Sequence, residues 1–215
     1  MKTKQIESWD GDFGKSYTNR NKFSMDNNYI MNYGITRKSM NKEFLNKYKF
    51  NNILEIGSNI GNQLLLLQQM GYDNLWGIDV SQYAIKISKE NTDDINIIKA
   101  SVFDIPYKDN YFDLVFTSGV LIHINPDDIN KALDEIYRVS NKYIWGFEYY
   151  SDTYEEIEYR GKKNLLWKTD FMTLFLNRFK DLKVIKEKKF KYLNTDNIDM
   201  MYLLKKEIKI GDFSA

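Results

Sequence analysis

Ile53-Leu54-Glu55-Ile56-Gly57-Ser58-Asn59-Ile60-Gly61 is the stretch that decides the fold. An apolar run ends in an acid and then a glycine-rich turn. A second apolar run, Leu75-Trp76-Gly77-Ile78-Asp79, ends in another acid. Two short buried runs with a helix-length segment between them describe neighbouring parallel strands. Their C-terminal ends lie side by side, and the turn lets the backbone approach a ligand closely.

The dinucleotide fingerprint of such turns is Gly-x-Gly-x-x-Gly, which opens a helix onto a pyrophosphate. Here the spacing is Gly57-x-x-x-Gly61, with Asn59 where a middle glycine is usual and Glu55 just before. An acid ahead of the turn suits a cationic nucleoside better than a diphosphate, and S-adenosylmethionine (SAM) is such a ligand. Asp79 stands where an acid accepts from a ribose diol. On these residues the chain resembles the class I SAM-dependent methyltransferases. Glu55–Gly61 resembles their first motif, Asp79 with Val80 the acid ending the second strand, Phe103-Asp104 the third motif, and Phe112-Asp113-Leu114-Val115 the fourth strand. The resemblance runs from about residue 50 onward. It implies SAM as cofactor and S-adenosylhomocysteine as product.

Composition bounds the rest. The chain has 215 residues, two prolines and a net charge of +1, so one globular domain without a nucleic-acid footprint is expected. There are no cysteines, which excludes disulfides, thiolate metal sites and cysteine nucleophiles. The acids are dispersed without ligand spacing, so no metal is expected. The amino terminus is polar, and no apolar run is long enough to span a bilayer. The expectation is a soluble, cytoplasmic bacterial protein acting on a small molecule, without membrane insertion and of unspecified oligomeric state.

The predicted architecture is α/β: a Rossmann-like, doubly wound, seven-stranded sheet with a C-terminal antiparallel hairpin and a small N-terminal helical cap. The expected division is 1–48 for the cap and 49–215 for the core. Predicted strands are 52–56, 75–79, 95–99, 112–117, 143–148, 182–190 and 198–208. Predicted helices are 36–48, 61–70, 82–90, a stretch from Pro126 to about Arg138, and 168–179, with a loop over 149–167.

Each candidate residue has a role. Gly57, Asn59 and Gly61 pass beneath the cofactor's methionine moiety, or serve only as a strand–helix turn. Glu55 orients a water or the cofactor's amino group. Asp104 accepts from the adenine amino group, or caps a turn. The core also resembles the quinone-biosynthesis O-methyltransferases. That resemblance gives Arg37 the cofactor's carboxylate and places Ser118 at the cofactor. His123, the only histidine, is a candidate general base, or a buried histidine bonded to a backbone carbonyl. Glu148, at the end of an apolar strand, is a second candidate to orient an acceptor group.

Two segments mixing aromatics and cations, 9–21 and 158–168, read as substrate elements, with Tyr17, Arg20, Tyr149 and Arg160 as contacts. Both resemble methylases associated with pseudaminic-acid biosynthesis. That implies a sugar, nucleotide-sugar or surface-glycan precursor as acceptor. The alternatives are a quinone-like metabolite and a non-catalytic SAM-binding protein. No Asn-Pro-Pro-Tyr element follows the fourth strand, where Thr117-Ser118-Gly119-Val120 stands, which argues against a nucleic-acid methyltransferase.

Overall fold

The computed structural model describes residues 3–21 and 25–207. Four helices come first: α1 (Lys4–Asp10), α2 (Asp12–Arg20), α3 (Met25–Tyr33) and α4 (Arg37–Leu45). Strands and helices then alternate: β1 (Ile53–Ile56), α5 (Asn62–Gln68), β2 (Leu75–Asp79), α6 (Gln82–Asn91), β3 (Ile95–Lys99) and β4 (Phe112–Ser118). A single 3-10 turn (Leu121–His123) leads to α7 (Ile129–Val139) and β5 (Ser140–Tyr149). The short strands β6 (Glu155–Glu156) and β7 (Trp167–Lys168) precede α8 (Phe171–Arg178) and the hairpin β8 (Leu182–Lys191) and β9 (Ile198–Lys206).

The main sheet has seven strands in the order β3-β2-β1-β4-β5-β9-β8. Strands β1 to β5 are mutually parallel, and β9 runs antiparallel to both β5 and β8. This is the expected doubly wound sheet with its C-terminal hairpin and N-terminal helices. Ile208, the end of the last expected strand, lies outside the described residues. Because β1 pairs with β2 on one side and β4 on the other, the connections that leave β1 and β4 run in opposite directions across the sheet. A crevice must open there, at the C-terminal strand ends.

Each face of the sheet has its own core. Ile129, Leu133 and Ile136 form the apolar stripe of α7 and pack with Phe171 and Phe175 of α8 over one face. Met40 and Phe44 of α4 and Leu64 and Leu67 of α5 cover Leu114, Phe116 and Trp145 on the other. Each such side chain contributes roughly 1.5–3 kcal/mol on burial. Helix α5 ends in a Schellman motif: Tyr72 N donates to Leu67 O at 3.1 Å and Gly71 N to Gln68 O at 2.9 Å, with Gly71 at φ 89°.

Among the boundaries that differ from expectation, three do so for local reasons. Pro126-Asp127-Asp128 form a turn rather than the first turn of α7, because Asn125 Oδ1 accepts from Asp127 N at 2.9 Å. The 149–167 segment is not wholly a loop: β6 and β7 pair within it, taking Lys168 out of the following helix. That helix starts instead after Asp170, whose Oδ1 caps it by accepting from Thr173 N at 2.9 Å.

Candidate functional site

A cavity of about 440 Å³ opens at the C-terminal ends of the strands, within the usual size of small-molecule sites, roughly 300–1,000 Å³. Its wall comes from five strand ends and the N-terminal helices. Glu55 lies in β1, and Gly57, Ser58 and Asn59 follow it; Asp79 ends β2 and Val80 follows; Phe103 follows β3; Ser118 ends β4, and Val120 and His123 follow; Phe147 and Tyr149 are at the end of β5. Tyr17 and Thr18 of α2 and Tyr29 and Tyr33 of α3 close it from above the sheet.

The turn after β1 is held by β2. Gly57 N and Ser58 N both donate to Ile78 O, at 2.8 and 3.0 Å, and Gly61 N donates to Ser58 O at 2.8 Å. Gly57, Asn59 and Gly61 all have positive φ, at 68°, 47° and 80°. At Gly57 the requirement is doubled, because an added Cβ would lie 2.5 Å from Val120 Cγ2. Gly61 caps α5 and does not line the cavity. Its missing side chain instead makes room for Ile97 and Thr92, each 2.9 Å from where a Cβ would stand.

Asp79 joins the turn to β2. Its Oδ2 accepts from Asn59 N and its Oδ1 from Ser81 N, both at 2.8 Å. Burial raises its carboxyl above the usual value, and these N–H groups pull it back. Thr18 Oγ1 donates to Asn59 Oδ1 at 3.0 Å, tying α2 to the same turn. Phe103 lines the cavity, but Asp104 beside it is exposed, in a turn closed by Asp104 N to Ser101 O at 3.0 Å.

Arg37 and Glu55 are both buried. The Arg37 guanidinium packs on aromatic rings, 4.4 Å from the ring centre of Phe147 and 5.3 Å from that of Tyr29. Its Nε donates to Asn41 Oδ1 at 2.8 Å and its Nη1 to Tyr29 Oη at 3.0 Å, while Nη2 has no hydrogen-bond partner. The expected direct clasp of a carboxylate by Arg37 is not the arrangement found: Arg37 is not among the residues lining the cavity, whereas Tyr29 and Phe147, which it touches, are. Glu55 does face the cavity, and its Oε2 has no hydrogen-bond partner among the described residues. Burial drives its carboxyl well above the usual value, against the pull of the Arg37 charge.

Glu148 and His123 lie close in the fold but differ in setting. Glu148 is outside the cavity wall. Its Oε2 accepts from Val120 N at 2.9 Å and from Ile122 N at 3.4 Å, so it anchors the segment after β4. Burial raises its carboxyl to about 7. His123 lines the cavity, with its ring centre 4.5 Å from that of Trp9. His123 Nδ1 lies 2.7 Å from Leu165 O, which makes Nδ1 the donor. Burial lowers the imidazole to about 4, so it is neutral at physiological pH.

Tyr17 and Tyr149 line the cavity, whereas Arg20 and Arg160 are exposed outside it. Arg20 lies 6.0 Å from the Tyr17 ring centre and Arg160 5.9 Å from that of Tyr159. Each aromatic ring packs inward and leaves its neighbouring cation in water. Sequence reasoning missed Trp9, Tyr33, Tyr192 and Asp199 as wall residues. Trp9 stood within a segment read as a substrate element. Asp199 carried no local signal, as an acid near the start of a hairpin strand.

Comparison with known proteins agrees with this geometry. Residues 54–142 match the family model described as a methyltransferase domain. Over 125 residues the chain is 34% identical to the ubiquinone/menaquinone biosynthesis C-methyltransferase UbiE of Rickettsia akari, covering 52% of this chain and 49% of that one. Over 121 residues it is 25% identical to the phosphoethanolamine N-methyltransferase of Plasmodium falciparum, covering 54% and 45%. The chain thus spans about half the length of the curated relatives it matches. Among solved structures it is similar to the 1,6-didemethyltoxoflavin-N1-methyltransferase of Burkholderia thailandensis, which has S-adenosylhomocysteine bound. The TM-score is 0.69 at 14% identity, with 92% of this chain and 86% of that one covered. Residues 54–142 thus resemble a methyltransferase domain, and the chain has the α/β, Rossmann-like fold of the solved methyltransferase it is similar to.

Proposed function

We propose that this protein transfers a methyl group from SAM to a small polar acceptor held between α1–α3 and the strand ends. The observation that carries the reading is the cavity at the crossing of β1 and β4, where Asp79 is locked to the turn after β1 and Glu55 has an unsatisfied buried oxygen. The division into a cap over 1–48 and a core over 49–215 belongs to the same proposal.

The residues fit the cofactor. Each Asp79 oxygen accepts one backbone N–H and keeps a lone pair for a ribose hydroxyl. The unpartnered Oε2 of Glu55 is matched by an ammonium donor. Val80 and Phe103 offer apolar wall for a base, and Ser118 lies in the wall beside the Gly57 turn. Bound SAM supplies a methyl group on a positively charged sulfur. The protein's part is to hold the acceptor in line with that methyl, and such positioning is worth roughly 7–11 kcal/mol of barrier.

His123 serves this positioning. With Nδ1–H fixed on Leu165 O, its Nε2 is left as an acceptor. A ring lowered to about 4 is a weak proton store, so its role is to accept a hydrogen bond and align the acceptor group. Glu148 acts one step back, by holding Val120 over Gly57.

For the acceptor, the sequence resemblance favours a sugar or surface-glycan precursor. Trp9, Tyr17, Tyr149 and Tyr159 in the wall suit the face of a sugar ring. Arg20 and Arg160 stand outside the cavity, so a nucleotide diphosphate loses the cations expected for it. The same aromatic wall keeps a quinone-like ring as the second reading.

The test is transfer of label from methyl-labelled SAM to a panel of sugars, amino sugars, nucleotide sugars and hydroquinones. Label in a member of the panel supports the reading. SAM binding with no label in any member moves it to the non-catalytic alternative.

A further inference from the structure

Among the described residues, no Lys or Arg lines the cavity, whereas three acids do: Glu55, Asp79 and Asp199. The proposed cofactor contacts use the first two. Asp199 is left over, on β9 beside the end of β5, where it pairs in register with Tyr149. It is 3% exposed. Its Oδ2 accepts from the hydroxyl of Tyr33 and, at 3.3 Å, from that of Tyr192. Its Oδ1 is buried and has no hydrogen-bond partner among the described residues. A buried carboxylate oxygen without a donor is a strong demand for one.

The surroundings fit a particular donor. The Tyr33 and Tyr192 ring centres lie 4.9 Å apart, and those of Tyr149 and Tyr192 6.2 Å. The faces of such rings are negative and favour a cation over an anion. Nearby cations do not fill the place. Lys168 Nζ donates to Asn197 Oδ1 at 2.5 Å, and Arg37 packs on Phe147 outside the cavity lining, with its own bonds to Asn41 and Tyr29. Among the described residues, neither forms an ion pair with Asp199. Both act on it only at longer range.

We propose that Asp199, walled by Tyr33, Tyr149 and Tyr192, holds the ammonium group of the methyl acceptor, which makes that acceptor a small amine. This rests on the methyltransferase reading of the same cavity. It narrows that reading from any polar acceptor to a cationic one. A carboxylate in this corner is repelled by Asp199, and a neutral hydroxyl gains one hydrogen bond without the charge.

The test is calorimetric binding of two matched trios to the full chain: glucosamine, glucose and glucuronate; benzylamine, benzyl alcohol and benzoate. Each is measured with wild type and with Asp199→Asn. The asparagine keeps an oxygen for the Tyr33 hydroxyl and removes the charge. In wild type the amine of a trio binds about tenfold or more tighter than its alcohol, and in the variant that preference is lost. SAM affinity is measured in parallel and is the same in both proteins. An alcohol or acid binding as tightly as its amine overturns the proposal, as does an amine preference that survives in Asp199→Asn. Loss of SAM binding in wild type with the amine preference intact strikes the methyltransferase reading instead.

Discussion

The amide of Asn59 donates to Asp79 Oδ2 at 2.8 Å, so the turn after β1 and the acid ending β2 form one unit. The other oxygen, Oδ1, accepts from Ser81 N at 2.8 Å at the entry to α6. Removing the carboxylate therefore removes the proposed ribose acceptor and loosens the turn beneath it. Asp79→Ala is predicted to weaken SAM binding by well over about tenfold in calorimetry. Circular dichroism should show the fold retained. Unchanged affinity would take Asp79 out of the cofactor site.

Gly57 and Val120 make a second test of the turn. Gly57→Ala places a Cβ 2.5 Å from Val120 Cγ2 at a residue with φ 68°. The expected loss of stability in urea unfolding is about 1–3 kcal/mol. Adding Val120→Ala should recover the steric part and leave the backbone strain. No recovery in the double variant would mean that the contact with Val120 contributes nothing.

His123 is fixed as a neutral ring by burial and by Leu165 O. His123→Ala is predicted to lower kcat while SAM affinity stays within about twofold. Since the ring titrates at about 4, the rate should show no histidine limb between about pH 5.5 and 8. A limb near the ordinary histidine value that vanishes in the variant would contradict the buried, neutral assignment. Stability carries the same signature. The unfolded chain takes up the proton below about 6.5 and the folded one only near 4, so His123 costs stability as pH falls through that window.

Glu148 has the opposite sign. Its folded value of about 7 lies above the unfolded 4.5. Between those values the folded state holds the extra proton, and its contribution to stability falls as pH rises through the window. The difference amounts to at most about 3 kcal/mol. Urea unfolding of wild type and Glu148→Gln from pH 5 to 8 checks this: wild type should lose stability relative to the variant on going up. A pH-independent difference would mean that the Glu148 carboxyl is not displaced by burial.

The order of the seven main-sheet strands and of the helices between them was legible in the sequence, as was the placing of the Glu55–Gly61 turn beside Asp79. Each is a local pattern: apolar runs of strand length, turn glycines, and an acid at a strand end. The doubly wound topology brings strand ends together without further instruction, so Val80, Phe103 and Ser118, which the family resemblance named, stand in the cavity wall. Direction and long-range company were another matter. Nothing local states that Arg37 turns inward onto Phe147, that Arg20 and Arg160 face water, or that Tyr33 reaches an acid 166 residues away at Asp199. The sequence by itself determined the sheet and the crevice at its switch point, because those depend on periodicity along the chain. The tertiary structure alone decided which charges face that crevice, because a side chain's direction depends on what packs against it from elsewhere in the chain.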